Sequence, residues 1–199
     1  MTRDLDASLV FQPRTHLGMA RGIDKIVGAI RPTLGPTPRV VAIDRLLDQR
    51  MPEILDNGAI IAKRIIELPD RDEDAGAMLI RDVVERVGEQ AGDGTATAAV
   101  IFQHIFNEGV RHLAGGGDVN VLRRHLELGA ACVEDQLITR AEPISGATDL
   151  SRLAESLCRD PDMAALIGDV FDTVGEYGRI EVRAGRDRAM RREFVEGTY

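Results

Sequence analysis

Apolar residues recur at helical spacing along most of this chain and alternate with polar ones only near its end. Between about His16 and Arg31, Met19, Ile23, Ile26, Val27 and Ile30 fall on one helical face, and Pro32 stops the pattern. Val40 to Ile43 reads as a short β-branched strand. Glu53-Ile54-Leu55 leads into Asp56-Asn57-Gly58, a strong hairpin or tight-turn signal, so a small β hairpin is expected near residues 40–58. A helix or an extended segment resumes at Ala59 and ends near Pro69. The charge run Asp70-Arg71-Asp72-Glu73-Asp74 reads as a solvated surface linker with acids at a helix start. A long helix from about Ala75 to Ala91 then turns Met78, Leu79, Val83, Val84 and Val87 inward, and Gly92-Asp93-Gly94 breaks it. The next helix runs to about Ala114, with Ala98, Ile101, Ile105, Val110 and Leu113 on its apolar face. After Gly115-Gly116-Gly117-Asp118 a further helix spans about Val119 to Ala141. Two shorter ones follow, Asp149 to Cys158 and Met163 to Val174. Arg179 to Arg183 and Arg192 to Glu196 alternate polar and apolar, which predicts two half-buried strands. Residues 1–15 form a polar arm in which Leu9-Val10-Phe11 is either a short edge strand or part of a loose arm.

Composition narrows what such a helical chain can do. Over 199 residues, 44% hydrophobic and 29% charged content is that of a globular protein. A net charge of −8 argues against a general binder of nucleic acid or of anionic membranes, so neither is expected as a partner. No apolar run approaches the ~18 residues a membrane span needs. The charged N-terminus, Met1 to Asp6, does not read as a secretory signal. Cys132 and Cys158 are isolated and read as reduced thiols, so a cytoplasmic location is expected. His16, His104, His112 and His125 lack metal-ligand spacing, and Ser145 and Ser156 lack a glycine elbow. No hydroxyl or lysine follows Gly115-Gly116-Gly117, so that run reads as a helix connector.

The candidate chemistry lies at Ala91-Gly92-Asp93-Gly94-Thr95-Ala96-Thr97, a glycine turn opening onto a helix N-terminus. The first amides of a helix have no partner inside it, and the helix dipole adds partial positive charge there, which suits a phosphate. Asp93 repels a bare phosphate, so its presence suggests a divalent cation between the two, the usual magnesium arrangement. The hydroxyls of Thr95 and Thr97 can cap the helix or touch phosphate oxygens. The plain alternative is an ordinary turn with Asp or Thr as a helix cap.

Four segments line up in order: Thr33-Leu34-Gly35-Pro36, Asp56-Asn57-Gly58, Ala91 to Thr97, and Val174-Gly175-Glu176-Tyr177-Gly178-Arg179-Ile180. Together with Arg21-Gly22, Glu67-Leu68 and Glu193 to Gly197, they resemble the N-terminal part of the group I, GroEL-like, bacterial-type chaperonins. The resemblance implies a mostly α fold. Residues 1–145 would be the first half of an equatorial-type ATP-binding helical domain. Residues 146–199 would start an α+β intermediate domain, with its first strands in Ile180 to Gly197. It implies ATP, magnesium and potassium as cofactors, with water attacking the γ-phosphate. Self-association or a ring-type oligomer with chaperonin subunits is implied as well. Unfolded polypeptide is implied as a partner only where an apical domain is supplied. By position, Thr33, Leu34, Gly35 and Pro36 match a loop packed on the nucleotide. Asp93 matches the magnesium-binding carboxylate, and Gly94, Thr95 and Thr97 match phosphate-contacting residues. Ala96 interrupts the family's threonine run. Ser156-Leu157 is a loose match to another nucleotide contact.

The departures weaken the hydrolytic half. Where the family has Thr-Lys-Asp-Gly, this chain has Leu55-Asp56-Asn57-Gly58, so Asn57 stands at the hydrolysis-assisting carboxylate unless Asp56 serves through a shifted turn. Thr37-Pro38 replaces the Lys-Gly of the first loop. The family's apical domain, returning intermediate half and second equatorial half have no counterpart in these residues. Hydrolysis by this chain alone is therefore expected to be weak or absent. The alternatives are a non-enzymatic assembly module or truncated chaperonin paralogue, and a gene fragment without a function of its own.

Overall fold

The computed structural model describes residues 11–35, 39–44, 51–185, 189–195 and 197. Among them are seven α-helices, one 3₁₀ turn and one two-stranded sheet. They fall into two compact units, residues 1–129 and 130–199. The first 10 residues, with most of the Leu9-Val10-Phe11 patch, lie outside the described part, as does Pro36.

The first unit is built on α1 (Arg14–Ile30). Ile23, Ile26, Val27 and Ile30 are fully buried, as the pattern predicts. Each such side chain contributes roughly 1.5–3 kcal/mol. Pro32 ends α1 by turning the chain into the 3₁₀ turn Arg31–Thr33. Antiparallel strands β1 (Val41–Ile43) and β2 (Glu53–Leu55) follow, with Ala42 opposite Ile54, forming the small sheet expected in this region. Asp56-Asn57-Gly58 is not the hairpin turn. It joins β2 to α2 (Gly58–Arg64), and the Asn57 carboxamide oxygen accepts from the amides of Ala59 (2.9 Å) and Ile60 (3.1 Å). Asn-Gly is as good a helix start as a turn when helix-forming residues follow.

α3 (Arg71–Ala91) starts four residues before the expected position, and the charge run is not a linker. Asp70 caps the helix by accepting from the amides of Asp72 (2.8 Å) and Glu73 (3.3 Å). Asp72 pairs with Arg14 at 2.9 Å. Glu73 is buried and paired with Arg21 and Lys25 of α1. The buried stripe of α3 is Gly76, Ala77, Ile80 and Val84. Leu79 and Val83 lie at its edge, and Met78 is exposed. Glycines cause this rotation. A Cβ on Gly22 would collide with the Glu73 carbonyl, and one on Gly76 with that of Met19, so the two backbones touch along these positions.

α4 (Thr95–Ala114) also turns a different face inward from the one expected. Thr95 and Ala99 are buried, Phe102 and Phe106 pack on the core, and Ile101 and Ile105 are exposed. Gln103 and Asn107 donate to Asp24 of α1 at 2.6 and 3.0 Å, which fixes that rotation. α5 (Val119–Arg140) is one continuous helix without a buried residue.

In the second unit α6 (Gly146–Cys158) packs on α7 (Pro161–Val174). Ala154, Ala164 and Gly168 form the contact, and a Cβ on Gly168 would meet Ser151. Asp160 caps α7 by accepting from Asp162 and Met163 amides, both at 3.0 Å. The two strands expected within 179–196 are not present among the described residues, which are irregular there. Two alternating segments without a third strand or a helix over their apolar face do not form a stable sheet.

Candidate functional site

Three chain segments meet at the start of α4. The first is the end of α1 with its 3₁₀ turn, the second the start of α2, and the third the Gly92-Asp93-Gly94 turn. Gly58 is where they touch. A Cβ there would lie 2.8 Å from Ile30 Cγ2, 3.0 Å from Thr95 Oγ1 and 3.4 Å from the Ala96 nitrogen. Salt bridges hold α2 in this place. Arg64 forms a two-pronged pair with Glu53 of β2 (2.7 and 3.0 Å), and Lys63 pairs with Glu85 of α3 at 2.8 Å. Both cations have pKa values raised above the ordinary range by these hydrogen bonds.

The turn itself has the expected geometry. Gly92 and Gly94 are left-handed, with φ of 73° and 79°. Gly92 ends α3 and Gly94 starts α4, and a side chain at either position would be strained. The Asp93 carboxylate accepts from the Gly94 amide at 2.6 Å and is exposed. The first intrahelical bond of α4 runs from the Ala98 amide to the Gly94 carbonyl. The amides of Thr95, Ala96 and Thr97 therefore precede the helical ladder. No side chain caps α4, so neither Asp93 nor a threonine plays the ordinary N-cap role. Ala96 packs on the core, Thr95 is buried, and Thr97 is exposed. Of the hydroxyls in this turn, that of Thr97 is thus the one facing solvent.

In the first loop, Thr33 is buried and its hydroxyl donates to the Ile30 carbonyl at 2.8 Å. Leu34 is exposed, and Gly35 is exposed with φ at 115°. The 3₁₀ turn containing Thr33 packs on α4. Asp56 is exposed beside Asn57, whose side-chain oxygen is committed to capping α2. Ser156 lies on α6, its hydroxyl bonded to the Leu153 carbonyl at 2.6 Å. The structure thus brings the Thr33, Asn57 and Gly94 segments together around one helix start. The Gly58 contact went unread in the sequence, although a glycine after a cap position leaves room for close approach.

The groups here fit a phosphate carrying a divalent cation. Three helix-start amides and a helix dipole follow directly after one exposed carboxylate. Among the described residues no three His, Cys, Asp or Glu side chains gather as a metal site. Asp93 would share such a cation with phosphate oxygens and water, as magnesium usually is shared.

No protein-family model matches the chain. Among solved structures, the chaperonin gp146 from bacteriophage EL 2 (Pseudomonas aeruginosa), solved in the presence of ATP-BeFx, aligns with a TM-score of 0.68 at 20% identity. The alignment covers 87% of this chain and 30% of the phage chaperonin. The chain has a chaperonin-like fold. Its mostly helical architecture with one small sheet agrees with the equatorial-domain-like bundle expected from the sequence. The chain spans less than a third of its neighbour's length. Among the described residues no helix is long and apolar enough to cross a membrane.

Proposed function

We propose that this chain binds ATP with magnesium at the α4 N-terminus, as the N-terminal part of a divergent group I chaperonin-like protein. One observation carries the reading. Gly58 seats the start of α2 against Thr95 and Ala96, so the three loops that resemble chaperonin nucleotide loops border the same helix start. The phage chaperonin's crystallisation with ATP-BeFx supports it.

In this reading the amides of Thr95, Ala96 and Thr97 bind phosphate oxygens, and the Thr97 hydroxyl adds a donor. Asp93 holds the magnesium, which would supply positive charge against the phosphates. Thr33, Leu34 and Gly35 border the nucleotide, with potassium as a further ion. Hydrolysis by this chain alone is weak or absent, because the Asn57 oxygen is occupied by two amides and a carboxamide is no general base. Residues 1–145 then correspond to an equatorial part and 146–199 to the start of an intermediate part. A ring-type assembly and a role in protein folding belong to the whole protein this reading implies.

Isothermal titration with magnesium-ATP tests the site. We expect heat of binding for the parent chain and its loss in Asp93→Ala, with slow or no phosphate release in either. Identical heats for both proteins would remove the site, and turnover comparable to a complete chaperonin would remove the assignment of Asn57. The second reading, a non-enzymatic assembly module, is favoured by the exposure of every residue of α5 except Leu122, which is half-buried.

A further inference from the structure

α2 is seven residues long, too short to hold its own place in water, and its surroundings fix it. Ile61 and Ala62 are buried in the core of the first unit. Lys63 pairs with Glu85 of α3 at 2.8 Å, and Arg81 of α3 donates to the carbonyls of Ile65 and Ile66 just past the helix end. One further tie is of another kind. The Arg64 guanidinium forks onto both oxygens of Glu53, at 2.7 and 3.0 Å. Glu53 stands on β2 and Arg64 at the end of α2, eleven residues on, so the pair spans the corner at which the strand becomes the helix. Gly58 sits on that corner, pressed against Thr95 and Ala96 with less than a methyl group's room.

We propose, resting on the nucleotide reading above, that Arg64 is a positioning residue for the phosphate site. It sets the angle of the β2–α2 corner and, through Gly58, the alignment of the Thr95 and Ala96 amides. Arg64 is not itself a ligand in that reading. A planar fork on two oxygens fixes direction as well as distance, which a single lysine bond does not. The Glu53 side chain is 18% exposed, so the strut is anchored on a sheltered carboxylate. Lys63 and Arg81 tie α2 to α3 and not to the strand, so neither spans the corner. Opening the fork frees the corner to swing against the start of α4, where there is no slack to absorb the movement. Amides that bind a phosphate by their direction lose affinity on a small misplacement.

The test is isothermal titration of the full chain with magnesium-ATP, well below its unfolding temperature, with circular dichroism to confirm folding. Arg64→Glu and Glu53→Arg change the net charge in opposite directions, yet each should weaken binding about fivefold or more, because each opens the fork. A simple field effect would weaken the first and tighten the second. The double exchange of the two residues should return the affinity to within about twofold of the parent. Glu73→Gln loosens α1 against α3 and not α2, so it should lower stability and leave the affinity unchanged. Without nucleotide, the amide resonances of Thr95 and Ala96 should shift in Arg64→Glu and return in the double exchange. Arg64→Lys keeps the charge and one bond, and should weaken binding about twofold or more even where a reversal unfolds the chain. A parent that binds nothing removes the nucleotide reading and this proposal together. A parent that binds while Arg64→Glu or Arg64→Lys matches it removes this proposal alone. Opposite effects of the two single reversals, an exchange as weak as its components, unmoved amides, or an equal loss in Glu73→Gln would overturn it as well.

Discussion

At the residue scale, Glu73 shows how little a charge run says about its members. Four carboxylates and an arginine in five positions read as a surface linker, yet all four acids have structural tasks, Asp74 accepting from the Leu68 amide at 2.9 Å. Asp70 caps α3, Asp72 pairs with an arginine at the start of α1, and Glu73 lies under two cations of α1. The Asp-x-x-Glu spacing at Asp70 and Glu73 was a legible helix-start signal. Which acid would turn inward was not legible, because that depends on where α1 passes. Asn57 is a parallel case: Asn-Gly promises a turn or a cap, and only the helix formers after it decide. The Glu73 pairing has a pH signature. Hydrogen bonds from Lys25 and then Arg21 hold its carboxyl below the ordinary value of 4.5. Its contribution to stability is therefore present above 4.5 and is lost as pH falls through the lowered value. We expect urea midpoints of the parent chain to drop across that acidic window. Glu73→Gln should be less stable at neutral pH and should show a shallower acid slope. Parallel pH profiles for the two proteins would mean that Glu73 contributes nothing through its charge.

At the element scale, helices were easier to read than their faces. Periodicity located α1, α3, α4 and α5 to within a few residues, since apolar spacing and glycine or proline breaks are local signals. The inward face was right for α1 and rotated for α3 and α4. Large side chains drew the prediction to Met78 and Ile101, whereas the contact between α1 and α3 is made by glycines that no hydrophobicity pattern registers. Gly18 and Gly22, four apart on α1, and Gly76 on α3 let the backbones meet, and Ile80 and Val84 follow inward from that contact. This packing makes two glycines of one helix behave oppositely. Gly22→Ala should destabilise the chain by about 1–3 kcal/mol, because the new methyl meets a carbonyl of α3 that cannot move without shifting the helix. Gly28→Ala has nothing within 4 Å and should stabilise by roughly 0.5–1 kcal/mol through helix propensity. Urea denaturation of both variants checks the pair, and equal effects would contradict close contact between α1 and α3.

At the scale of the whole molecule, the order of the loops carried more information than any one of them. Thr33-Leu34-Gly35-Pro36 and Gly92-Asp93-Gly94 are far apart in sequence, and each alone is an ordinary break. Their order pointed to a chaperonin-like fold, and the structural neighbour agrees at the level of fold. The C-terminal alternation misled because a strand needs a partner that sequence pattern alone does not supply. The stability of the chain is correspondingly uneven. The first unit has a core in which α1 and α3 contribute seven fully buried apolar side chains, whereas α5 has no buried residue. Backbone bonds in a helix without tertiary cover open by local fraying, while those of a core helix open only with the unit. Hydrogen exchange should therefore separate them. In dilute solution the amides of α1 and α3 should exchange slowest, and those of α5 should be the fastest of the long helices. Protection of α5 equal to that of α1 would show instead that the helix is covered within a single chain.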